Sequence, residues 1–163
     1  MADSVNVGLA GEYHVLDQLA ERGLVGTLTL ANTKRVDILV TDQRLDTLFK
    51  VEVKTTSRHP YRERLFGPDP FYMWPMSVKH ESIRDPRLFY CFVALRGVGQ
   101  LPRFFLVPSA HVVAYVRRQH QTWLNSRHGR VKDTTMRKFR IPVGDPEKFE
   151  GRWEIFSTGE GSV

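Results

Sequence analysis

The chain has one cysteine, so it can form no internal disulfide. Cys91 lies in the apolar run Leu88-Phe89-Tyr90-Cys91-Phe92-Val93, the setting of a buried structural thiol rather than a nucleophile. No stretch approaches the roughly 20 consecutive apolar residues that a membrane crossing requires. The start, Met1-Ala2-Asp3-Ser4, lacks the basic patch and apolar core of a secretory signal. The six histidines (His14, His59, His80, His111, His120, His128) have no zinc-type spacing and no cysteines beside them, which argues against a zinc site. Gly97-Val98-Gly99 lacks the third glycine of a phosphate loop and reads as a tight turn. There is no internal repeat, low-complexity block or linker. A single cytoplasmic domain spanning residues 1–163 is expected.

Acidic residues are almost missing from one region. Between Arg117 and Arg140 stand Arg117, Arg118, Arg127, Arg130, Lys132, Arg137, Lys138 and Arg140, opposed by Asp133 alone. Eight cations against one anion give this segment +7, more than the +6 of the whole chain. Such a concentration suits a polyanion, although a merely solvated face has the same composition.

The periodicities predict an opening helix from about Val7 to Arg22. Leu9, Tyr13, Leu16 and Ala20 form its apolar side, Glu12 flanks that side, and Gly23 stops it. Short β-type runs follow over Thr27 to Leu30, Val36 to Val40 and Leu48 to Lys54, with Thr41-Asp42-Gln43-Arg44 as a turn. Four prolines and a glycine between Arg58 and Pro75 predict a long loop without regular structure. Ser77 to Arg84 reads as a short helix or two turns. Arg87 to Leu95 reads as a central strand and Arg103 to Val107 as its neighbour. A helix capped by Ser109 then runs to about Ser126 on Val112, Val113, Val116, Trp123 and Leu124. Trp123 and Trp153 read as core anchors. A strand over Lys138 to Val143 and a helical piece around Pro146 to Ile155 close the chain. This order predicts an α/β fold with a mixed sheet and helices on its faces.

Two of the strands carry chemistry. In Arg35-Val36-Asp37-Ile38-Leu39-Val40 and Phe49-Lys50-Val51-Glu52-Val53-Lys54, polar groups alternate with apolar ones. Glu52 and Lys54 share one face, while Val51 and Val53 take the other. If the two strands pair through the intervening turn, Asp37 and Glu52 approach closely enough to share a hard cation. Magnesium bound there would acidify water and neutralise charge developing on a phosphate. Lys54 would place a cation beside the attacking water, and Val53 would offer its carbonyl as a further ligand. The plain alternative is an edge-strand charge pair with Asp37 as a strand-end residue.

Asp37…Glu52-Val53-Lys54 resembles the signature of the PD-(D/E)xK nuclease superfamily, which includes restriction endonucleases and archaeal Holliday-junction resolvases. Gly11-Glu12 resembles the additional helix glutamate of resolvase-like branches. Val36 stands where the name-giving proline would be. The resemblance covers roughly residues 8 to 57 and the Arg87 to Leu95 run. It implies a restriction endonuclease-like fold and Mg²⁺-dependent (or Mn²⁺-dependent) hydrolysis of DNA. Asp37 and Glu52, with Glu12 and the Val53 carbonyl, would be metal ligands, and Lys54 the catalytic lysine. A homodimer is common in the superfamily. Thr55 and the loop cations Arg58, Arg62 and Arg64 join the Arg117 to Arg140 segment as expected phosphate contacts. The rival reading is an inactive endonuclease-like module that binds nucleic acid or a protein partner.

Overall fold

A computed structural model describes residues 3–29, 36–44 and 46–157. Arg35, the start of the first site strand, and Leu30, the expected end of the strand before it, lie outside the described residues. So does the end of the chain beyond residue 157.

The opening helix, α1 (Ser4–Glu21), begins three residues earlier than the sequence suggests because Asp3 caps it, accepting from the Val5 N–H. Strands β1 (Val25–Leu28), β2 (Ile38–Thr41) and β3 (Leu48–Thr56) follow. Next come β4 (Phe71–Ser77), β5 (Leu88–Ala94), β6 (Arg103–Pro108), helix α2 (Ser109–Ser126) and β7 (Met136–Pro142). The main sheet has the order β1-β2-β3-β5-β6. Its β3–β5 pair is parallel and the other pairs are antiparallel. It is the expected mixed sheet of a single α/β domain, with a helix on each face.

The parallel pair needs a long crossover, and that crossover is the proline-rich stretch. The sequence predicts no regular element up to Pro75, yet Phe71–Ser77 is a strand, paired with β7 in a separate two-stranded sheet. Proline is tolerated at position 75 because the ladder of β4 runs along β7, while its other edge carries a single bridge, Tyr61 with Phe71, at the far end of the strand. Three further expectations are corrected. Ser109 does not cap α2; its hydroxyl donates to the Asp85 carbonyl at 2.7 Å, and Pro108 holds the cap position. The closing helical piece shrinks to one 3-10 turn, Trp153–Phe156. The buried side of α1 is Gly11, Val15, Gln18 and Leu19, whereas Leu9 and Tyr13 are exposed.

Two cores sandwich the main sheet. Odd-numbered residues of β3 (Phe49, Val51, Val53) and of β5 (Phe89, Cys91, Val93) join Val15 and Leu19 of α1 and the closing Trp153 and Phe156. The opposite face holds Tyr90 and Phe92 of β5, Val112 and Val116 of α2, Trp74 of β4 and Phe139 of β7. Phe92 and Phe139 stack with centroids 4.3 Å apart, and the Trp74 indole N–H reaches the Val93 carbonyl at 3.0 Å. Cys91 is fully buried, and that burial pushes its thiol pKa up, as a structural thiol requires.

One contact sets how α1 sits on β3. A Cβ built on Gly11 would lie 1.8 Å from Thr55 Oγ1, so only glycine allows this approach. Gly11→Ala is therefore expected to push α1 off β3, at a cost of about 1–3 kcal/mol. Urea unfolding of the variant against wild type measures it.

Candidate active site

Glu52 pairs in register with Tyr90 of the neighbouring β5, and both point to the face opposite the α1 core. Glu52 is 6 % exposed. A carboxylate so deep needs donors. Lys54, two residues along on the same face, places its Nζ 2.7 Å from Glu52 Oε1. His80 of the single-turn helix Val78–Glu81 places Nε2 3.1 Å from the same oxygen. The second oxygen, Oε2, is closed off from solvent and has no hydrogen-bond partner among the described residues.

Asp37 stands just before β2. It donates its N–H to the Val51 carbonyl at 2.9 Å, although the register partner of Val51 is Ile38. Two successive residues thus share one partner, as at a β-bulge, and the slip re-aims the Asp37 side chain. Its Oδ2 accepts the Val53 N–H at 2.6 Å. The hairpin therefore brings Asp37 to the Glu52-Val53-Lys54 segment, as the pairing argument expected.

The electrostatics tie three acids together. Burial pushes the Asp37 pKa above its ordinary value, the Val53 N–H works against this, and the Glu52 charge adds to it. Burial and then the Asp37 charge raise Glu12. Glu52 goes the other way: burial works to raise it, but His80 and Lys54 together hold it below the usual glutamate range. Among the described residues no group of three His, Cys, Asp or Glu side chains is gathered as a metal-ligand cluster. Two carboxylates are nonetheless enough for magnesium, which keeps most of its shell as water. The unpartnered Glu52 Oε2 and the mutually unfavourable Asp37 and Glu12 charges fit a hard cation.

The expected phosphate contacts divide. Arg58, Arg62, Arg64, Arg117, Arg118, Arg127, Arg130, Lys132 and Lys138 are exposed. Arg137 is buried, paired with Glu81 and donating to the Thr134 carbonyl at 2.6 Å. Arg140 is also buried, with its guanidinium carbon 3.6 Å from the centre of the Phe66 ring. These two cations are spent inside the protein rather than offered to a polyanion. Thr55 is likewise turned inward, its hydroxyl beneath Gly11. Trp153 is buried under Arg22, while Trp123 is only half-buried and, with His120, lines a pocket of about 400 Å³ between α2 and β7.

Sequence reasoning missed His80. Its one local signal is the Ser77-x-x-His80 spacing, which forms a capping box. Its contact with Glu52 spans 28 positions and has no sequence signature.

The raised Asp37 pKa has a definite consequence for stability. A carboxyl held above its unfolded pKa in the folded state favours folding at low pH and opposes it once both states are ionised. Without divalent metal, Asp37→Asn should therefore melt a few degrees above wild type at pH 7. The gain should vanish below the ordinary aspartate value of 3.8. Thermal melts across pH check this, and a lower melting temperature for the variant at pH 7 would contradict it.

Among solved structures, the chain is similar to that of a bacterial homing endonuclease, with a TM-score of 0.59 and 15% identity. The likeness covers 98% of this chain and 95% of that one. A scan against protein-family models and a search of curated proteins find no match. What the solved structure shares with this chain is the fold, from end to end.

Proposed function

We propose that the protein is a metal-dependent nuclease that hydrolyses DNA phosphodiester bonds in the manner of the PD-(D/E)xK superfamily. The observation that carries this reading is Glu52, a buried carboxylate with one oxygen lacking a donor among the described residues, set beside Asp37 and Lys54. The fold likeness to a homing endonuclease supports it. Asp37 and Glu52 would hold Mg²⁺, with Mn²⁺ as a substitute and Glu12 as an accessory ligand. In a strand the N–H and C=O of one residue point to the same side. The Val53 carbonyl therefore faces Asp37, as its N–H does. The metal, when bound, supplies acidified water and neutralises charge on the phosphate. Lys54 exchanges its pairing with Glu52 for the attacking water or a phosphate oxygen.

The exposed cations of the Arg58 to Arg64 loop and of the Arg117 to Lys138 segment would hold the DNA backbone. In this reading Arg137 and Arg140 keep the scaffold beneath that surface in place, and Thr55 seats α1. Val5, Leu9 and Tyr13 form an exposed apolar stripe along α1 that offers a homodimer its contact. Among the described residues no helix is long and apolar enough to cross a membrane. The proposed work on DNA would take place in the cytoplasm.

The test is cleavage of linear, branched and single-stranded DNA with Mg²⁺ or Mn²⁺. Glu52→Ala and Lys54→Ala should each lose at least about 10²-fold, as loss of a preorganised charge-stabilising group does. Equal cutting by wild type and both variants would remove the nuclease reading. DNA binding by wild type, with no cutting under any condition, would favour the inactive module instead.

Salt dependence probes the surface separately. Arg117→Ala and Arg118→Ala should each weaken binding to all sequences alike and lower the slope of log K against log salt by up to about 1. Titrations from low to moderate salt measure that slope.

A further inference from the structure

His80 is buried at the floor of the site, and the reading above gives it no task. Its ring is held from both ends. Nδ1 lies 3.0 Å from the Ser77 backbone nitrogen, 3.2 Å from its hydroxyl and 3.1 Å from its carbonyl oxygen, so the turn fixes this end of the ring. Nε2 faces Glu52 Oε1 at 3.1 Å, and because an ionised carboxylate only accepts, Nε2 carries a proton toward it. Tyr90 packs edge-on against the ring with centroids 5.9 Å apart. The turn that carries the histidine is stapled to β7: the Val78 N–H reaches the Thr135 carbonyl at 2.8 Å, and Glu81 pairs with buried Arg137. The imidazole is therefore a fixed donor on a fixed platform.

Lys54 is different. It reaches the same oxygen, but through a flexible four-carbon stem, and its side chain is 29 % exposed. Both donors meet Oε1, so the carboxylate plane is set while the Oε2 lone pairs stay free. Resting on the nuclease reading, we propose that His80 is a positioning residue that locks Glu52 with Oε2 presented to the divalent cation. Its hold on Oε1 persists when Lys54 turns toward substrate. No proton is exchanged in this role; the histidine acts by orienting a ligand from behind, as outer-shell partners of metal ligands do.

Two substitutions separate the ring's two bonds. In His80→Asn the amide oxygen takes the place of Nδ1 and keeps the Ser77 N–H satisfied, but the fixed donor to Glu52 is lost and the mobile Lys54 alone remains on Oε1. In His80→Gln the amide nitrogen takes the place of Nε2 and keeps that donor. Mn²⁺ binding to the DNA-free protein, followed by calorimetry, is expected to weaken about 10–100-fold in His80→Asn and to stay within a few-fold of wild type in His80→Gln. Imidazole ¹⁵N spectra of wild type should show Nε2 protonated. Wild-type affinity in a folded His80→Asn, equal losses in the two variants, or an unprotonated Nε2 would overturn the assignment. If wild type itself takes up no Mn²⁺, the nuclease reading falls and this inference with it.

Discussion

The constraint on which the site depends is the burial of one negative charge. Glu52 sits in the middle of the main sheet, on a strand covered on both sides. Removing an ionised carboxylate from water is costly unless donors replace the water. The fold supplies them from two directions. Lys54 comes from the same strand, two residues on. His80 comes from the far end of the β3–β5 crossover, which runs out through β4 and returns past the site. The covering layer of β4, β7 and the turn between β4 and β5 can be understood as what a buried anion requires overhead.

That covering layer explains how the basic segment is used. Its cations do not form one uniform face. Those on and after α2 are exposed, whereas Arg137 and Arg140 on β7 point into the protein and hold down the turn and the proline-rich loop. Buried arginines are secure only when paired or stacked, and both are. Scaffold and binding surface are thus built from the same stretch of sequence.

The site also carries features that cost stability. Asp37 and Glu12 are held above their ordinary pKa values, and Glu52 Oε2 has no donor among the described residues. Features of this kind are expected where a site is shaped for a ligand rather than for the fold's own stability. The likeness to a homing endonuclease concerns the fold, and a fold does not decide function. The weight of the functional reading therefore rests on these residues.

Where the information is local, the sequence is enough. The alternation through Val51, Glu52, Val53 and Lys54 determines which side chains share a face, because strand geometry has a period of two. The unbroken apolar run of β5 determines a central strand. Asp37 could be matched to Glu52 because a short turn leaves few ways to pair the strands. The rest was decided by partners distant in sequence. Pro75 became part of a strand because β7, more than sixty residues on, pairs with one edge of β4, while the single bridge on the other edge, from Tyr61, meets Phe71 and not Pro75. Leu9 and Tyr13 were left outside because Gly11, not a larger apolar residue, sets where α1 touches β3. Arg137 and His80 took their roles only when Glu81 and Glu52 were brought beside them. A hydrogen bond across dozens of residues leaves no periodic trace, since its existence depends on the closed sheet and not on spacing along the chain.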